Sequence, residues 1–198
     1  RVHEYFGGVW SRLKGTNGIL TVIIVARNYP VFFMNDIIDF LQQRNSAAQL
    51  TEPAPSAEEL GKIFSVAMRA PDHARLRPWR FLTVSGDRRR DLGALLSEAL
   101  GRRDPTADAA KLEKVSCSPL RAPLLVVVVT RFFEHPKVPP VEQRMSAACA
   151  AHGLLLGAEA LGYAGMWRTG NSAFDPFVHR GLGLEEGEEI AGVIYLGS

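Results

Sequence analysis

Residues 124–130 read Leu-Leu-Val-Val-Val-Val-Thr, an aliphatic run rich in β-branched side chains. Successive residues of a strand point to opposite faces, so a strand without polar alternation must be covered on both sides. The run predicts a strand at the centre of a layered domain, with other elements packed above and below it.

The rest of the chain supplies candidates for those layers. Asn35 is expected to cap a helix whose Ile37, Ile38 and Leu41 form one apolar face. Ser56 and Glu59 make a capping box ahead of Leu60, Ile63, Phe64, Ala67 and Met68, an apolar stripe at helical spacing that Pro71 terminates. Residues 81–85 read as a strand, Gly86-Asp87 as its turn and 88–100 as a helix. Residues 142–161 are alanine-rich, with Gly162 as a stop, and are expected to form the central core helix. Asp175-Pro176 starts a short helix, and 190–196 form a last strand. Helices and strands alternate without strict βαβ repetition, which favours an α+β layered fold. No Gly-x-Gly-x-x-Gly follows a strand, which argues against a Rossmann or P-loop site.

Composition narrows the function classes. A chain of 198 residues with 46 % hydrophobic content has material for one globular domain. Its net charge of +2 gives no electrostatic case for nucleic acid or an anionic membrane surface. Cys117 and Cys149 lie in unrelated contexts, which argues against a disulfide scaffold, a zinc site or a dithiol centre and fits a reducing cytoplasm. Cys149, among alanines in mid-helix, is expected to be buried and inert. Residues 1–33 are read as an atypical extension outside the fold, and 34–198 as the domain. The apolar stretch 18–33 is interrupted by Arg27, Asn28 and Pro30, too short to span a bilayer and without a cleavage site.

Three separated groups carry phosphate-grade donors: Arg44 with Ser46, the segment 69–73 running into Pro78-Trp79-Arg80-Phe81, and Met166-Trp167-Arg168-Thr169-Gly170. Arginine grips phosphate with a planar fork of N–H groups, and short hydroxyls complete the grip. Brought together, they suit a phosphorylated cofactor; spacing does not say which. The histidines show no metal-ligand spacing, and no Ser-His-Asp or Cys-His arrangement stands out, so neither a metal nor a catalytic side chain is expected.

These motifs, together with Glu52-Pro53-Ala54-Pro55, Val138-Pro139, Glu142-Gln143 and Met145-Ser146-Ala147, occur in the order and spacing of the compact FMN-dependent nitroreductases. The chain resembles that family from about residue 35 to 198. The resemblance implies a three-layer fold with a central mixed sheet flanked by helices, in an intertwined homodimer with FMN at the subunit interface. It assigns FMN contacts to Arg44, Asn45 and Ser46, to Arg69 and His73, and to Trp167, Arg168 and Thr169. Asn45 departs from the family triplet Arg-Arg-Ser and removes a positive charge; Thr169 replaces a serine. Gly157, Ala158, Glu159, Ala160, Leu161 and Gly162 correspond to a segment assigned to NAD(P), although they read equally as plain core helix. Glu142 and Gln143 fall where the family builds its dimer interface. Family members continue past the last strand, so a chain ending at Gly197-Ser198 is expected to be truncated. The implied activity is hydride transfer from NAD(P)H through flavin N5 to a nitroaromatic, quinone or similar small acceptor. An FMN carrier or storage protein without NAD(P)H turnover is the alternative.

Overall fold

The computed structural model describes the backbone of residues 4–6, 9–11 and 32–198, with side chains from Asp36 onward. The expectations for residues 12–31 fall outside the described residues. The chain forms two units, Arg1–Gln43 and Arg44–Ser198. In the first, β1 (Glu4–Phe6) pairs antiparallel with β2 (Val9–Ser11), and α1 spans Phe32–Gln43. Asn35 therefore lies inside the first turn of α1 and is not its cap; no glycine or proline between 32 and 35 stops the helix from starting earlier.

The second unit contains α2 (Ala57–Ala67), β3 (Trp79–Ser85), α3 (Arg88–Arg103), α4 (Ala109–Ser116), β4 (Leu124–Arg131), α5 (Pro140–Ala160), β5 (Ala164–Arg168), α6 (Pro176–Gly181) and β6 (Glu188–Gly197). The capping box forms as expected: Glu59 N–H donates to Ser56 Oγ at 3.3 Å, and Ser56 N–H donates to the Glu59 carboxylate at 2.9 Å. The sheet has the order β3-β4-β6-β5.

Every neighbouring pair in that sheet is antiparallel, which corrects the expected mixed sheet. The crossover β4–α5–β5 does bring two strands into the same direction. They are not neighbours, because β6 inserts between them and runs against both. β4 lies inside the sheet and is buried from Leu124 to Thr130, as its composition demanded.

The two faces of the sheet build separate cores. Leu125, Val127, Val129 and Tyr195 pack with Leu92 and Ala99 of α3 and Val178 of α6. Val126, Val128, Ile194 and Leu196 pack with Ile63 and Ala67 of α2 and Ala151, Leu154 and Ala158 of α5. The small residues of α5 set its distance from α2: a Cβ on Gly153 would lie 2.9 Å from the Ala67 Cα. One face of α5 is thus core. Cys149, on the other, is exposed, because the helix stands at the outside of the layer with its opposite face in the core.

Candidate functional site

Arg168 ends β5, an edge strand, and its position opposite Val193 puts it on the α3 face of the sheet beside Tyr195. Its guanidinium stands 5.6 Å above the Tyr195 ring centroid, a cation–π arrangement that orients it. Burial pushes the Tyr195 phenol up from its ordinary value, and Arg168, Ser118 and Arg121 oppose that rise. Trp167 turns to the other face. A Cβ on residue 192 would lie 2.0 Å from the indole Nε1, so Gly192 is what lets the ring lie against the sheet. Its side chain is therefore a packing group. Thr169 follows, exposed at the end of the strand.

Beside Arg168 opens a cavity of about 570 Å³, with Val127, Ile190 and Val193 of the sheet among its apolar lining. Its polar lining includes Arg103, Lys111, Lys114, Arg121, Arg168, Ser118 and Thr169, and no carboxylate. Two of the five cations have partners. Arg103 meets Asp175 at 2.9 Å, and Lys111 meets Asp104 at 2.6 Å. Hydrogen bonds from Lys111 and Thr106 hold the Asp104 carboxyl down to about 2. Among the described residues, Lys114, Arg121 and Arg168 have no ion-pair partner.

The segment 44–50 is tied to the same side. Ala47 N–H donates to Gly165 O at 3.3 Å, and Leu50 N–H donates to Arg121 O at 2.9 Å. This brings the Arg44-Asn45-Ser46 segment to the β5 edge, where Arg44 is half-buried and donates to Asn45 O at 2.5 Å. Arg121 and residues 168–169, remote in sequence, line one cavity.

The second expected group lies elsewhere. Arg69 and His73 precede β3, at the opposite edge from β5. Three strand spacings separate the two edges, about 14 Å. Ala74, Arg75 and Arg77 adopt left-handed backbone with φ of 61°, 56° and 49°. Non-glycine residues seldom do so without support. Part of that support is the Asp72 carboxylate, which accepts from Arg77 N–H at 2.7 Å, so Asp72 organises the loop. His73 Nδ1 lies 2.8 Å from the Glu142 carboxylate at the start of α5. Arg80 turns to Glu188, with bonds of 2.8 and 2.6 Å, and is engaged inside the fold. Gln143 is buried: its amide donates to Phe133 O and Val138 O and accepts from Phe133 N–H, pinning the loop before α5. Of the segment Gly157–Gly162, Gly157 and Ala158 are buried in the α5 core; Ala160, Leu161 and Gly162 are exposed.

The third group lines the cavity and the second is held at the other edge; of the first, Arg44, Asn45 and Ser46 are not among the lining residues, and Ala47 just after them bonds to β5. Sequence reasoning did not single out Lys114 or Arg121. Lysine is sparse in this chain, and an isolated Lys or Arg at a helix end carries no local motif; their only signal is the cavity they share. No group of three or more His, Cys, Asp or Glu able to hold a metal occurs among the described residues. No helix among them is long and apolar enough to cross a membrane.

The family model described as "Nitroreductase family" matches residues 41–198. The chain belongs to the nitroreductase family. It is 39 % identical over 163 residues to the Escherichia coli (strain K12) protein named "Putative NAD(P)H nitroreductase YdjA", covering 82 % of this chain and 88 % of YdjA. A nitroreductase-like family protein from Bacillus cereus superposes with a TM-score of 0.72 at 23 % identity, over 81 % of this chain and 84 % of that one. A nitroreductase from Bacteroides fragilis NCTC 9343, solved with bound FMN, superposes with a TM-score of 0.64 at 25 % identity, over 82 % and 88 %. The family and its α+β fold are thus shown for this chain.

Proposed function

We propose that this protein is an FMN-dependent oxidoreductase that passes hydride from NAD(P)H to a nitroaromatic, a quinone or a similar small acceptor. The observation that carries the reading is the cationic, carboxylate-free cavity at the end of β5 in a chain of this family. A phosphate monoester needs N–H donors and no competing acid, and Arg168, with the Thr169 hydroxyl, lines the cavity and offers that; the segment carrying Arg44 and Ser46 joins the same edge through Ala47. The volume, about 570 Å³, and the apolar sheet lining suit a ligand with a flat ring system. The donor set fits FMN.

Bound there, FMN would supply the exchange of hydride between nicotinamide and acceptor, a chemistry that requires no catalytic dyad from the protein. The protein's own groups bind and orient. Arg44, Ser46, Arg168 and Thr169 hold the phosphate end; Asn45 contributes neutral hydrogen bonds, and Trp167 contributes backbone. Arg69 places positive charge by the pyrimidine edge, with His73 fixed beside it by Glu142. Since Arg69 and His73 lie at the far edge of the sheet, they reach the same cofactor from a second copy of the chain. Val141 and Met145, 50 % and 61 % exposed, form with Cys149 a stripe at helical spacing on α5 beside Glu142. Such an apolar face suits burial in a homodimer. For NAD(P)H, the exposed end of the assigned segment, Ala160-Leu161-Gly162, is the accessible part. The free thiols of Cys117 and Cys149 fit a cytoplasmic setting.

The test is the visible spectrum of the chain reconstituted with FMN and titrated anaerobically with NADPH and then NADH. Flavin absorption that bleaches supports the oxidoreductase. Absorption that persists with both donors replaces it with an FMN carrier. Absence of bound flavin contradicts both.

A further inference from the structure

We infer that Lys114 and Arg121 anchor the phosphate of the cofactor together with Arg168, making good the positive charge that Asn45 lacks. The assignment rests on the FMN reading above and adds two residues to it. Lys114 stands in the last turn of α4, and Arg121 ends the 3-10 turn Ser118–Arg121 that leads into β4. Sheet pairing and the bond from Leu50 N–H to Arg121 O fix where Arg121 starts, and it lines the same cavity as Arg168 on β5.

Charge balance carries the argument. The cavity draws five cations from four parts of the chain and no carboxylate, and two of the five are neutralised by Asp175 and Asp104. Lys114, Arg121 and Arg168 remain. Arg121 and Arg168 are half-buried, and withdrawing a cation from water without a counter-charge is unfavourable. A fold that holds two guanidiniums and an ammonium around one apolar-floored hollow is completed by an anion. A phosphate monoester carries close to two negative charges at neutral pH and accepts several hydrogen bonds at once. Arginine grips it bidentately; lysine adds a point charge. Thr169 lines the same cavity and offers a hydroxyl, whereas the Ser118 hydroxyl already donates to Val115 O at 2.7 Å.

The experiment titrates the full chain with FMN and, separately, with riboflavin, which lacks the phosphate, following flavin fluorescence. Wild-type protein is expected to bind FMN more tightly than riboflavin. Arg121→Gln and Lys114→Gln should each weaken FMN roughly tenfold and leave riboflavin within about twofold, as loss of one charge-assisted contact predicts. Arg121→Lys should recover most of the loss. An undiminished preference for FMN in both glutamine variants overturns the assignment while leaving FMN binding itself intact. Equal weakening of both flavins also overturns it, since that marks a structural role. If Arg121→Gln does not fold, Lys114→Gln, exposed on α4, decides alone. Wild-type protein that binds neither flavin removes the FMN reading and this assignment with it.

Discussion

The two edge strands of the sheet each carry an arginine on the α3 face, and the two meet opposite surroundings. Arg80 on β3 donates to both oxygens of Glu188 at 2.8 and 2.6 Å and to Gly183 O at 3.0 Å. Glu188 is buried, Arg131 joins it at 3.2 Å, and the hydrogen bond from Arg80 holds its carboxyl below the ordinary value. Arg168 on β5 has an aromatic ring beneath it, further cations beside it and no carboxylate in its cavity. Residue type and strand position are alike. What separates a structural arginine from a binding one is whether the fold brings an acid to it. At β3 it does; at β5 the charge stands without an acid, and the proposed cofactor site rests on that difference.

Breaking the paired edge should give the largest effect. Glu188→Ala leaves Arg80 and Arg131 without their acid, and loss of one partner of a buried pair costs about 3 kcal/mol. For a chain of this size that lowers the melting temperature by roughly 6–12 °C. FMN affinity should stay at the wild-type value; a matching loss would mean the two edges are coupled. Acid should expose the same pair. Because the folded value of Glu188 lies below its ordinary 4.5, its stabilisation is complete above pH 4.5 and is lost as pH falls through the depressed folded value. Glu188→Gln should flatten that acid limb of the stability curve, and an unchanged limb would assign it to other carboxylates.

The open edge should answer to salt. Between 0.1 and 1 M salt the screening length falls from about 10 to about 3 Å. FMN affinity should drop severalfold over that range, with riboflavin affinity nearly constant. Equal salt responses would deny the cavity its electrostatic role. The smallest expected effect is a gain. Asn45→Arg restores the family's charge at an exposed position and should tighten FMN about two- to fivefold, the scale of a solvent-screened contact. Weaker binding would place residue 45 away from the phosphate.

Much of the fold was legible because it rests on local rules. The aliphatic run of β4, the Ser56–Glu59 box, the small residues of α5 and the Asp175 cap each declare an element within a few residues. β5 was read as a motif and not as a strand, since its five residues include Gly165 and no β-branched side chain. α4 was not foreseen. Its eight residues are short, and none of them is buried. The site was half legible. Arg168 and Thr169 line one cavity at the end of β5, while Arg44 and Ser46 are tied to that edge only through the bond from Ala47 N–H to Gly165 O. Arg80 looked equally suited to phosphate, but Glu188 lies 108 residues away and pairs with it only through the sheet. Lys114 and Arg121 carry no local signal for the same reason in reverse: no residue near them in sequence shows that they share a cavity whose lining holds no carboxylate. Cys149 was expected inside, but helical periodicity alone could not say which face of α5 the sheet would take.

The most direct test sets Arg168→Gln beside Arg80→Gln and measures the FMN dissociation constant and the melting temperature of each. Arg168→Gln should weaken FMN by roughly tenfold or more and shift the melting temperature by no more than about 2 °C. Arg80→Gln should do the reverse, losing stability and keeping FMN affinity. Wild-type FMN affinity in Arg168→Gln would contradict the claim that the unpaired edge is the cofactor site.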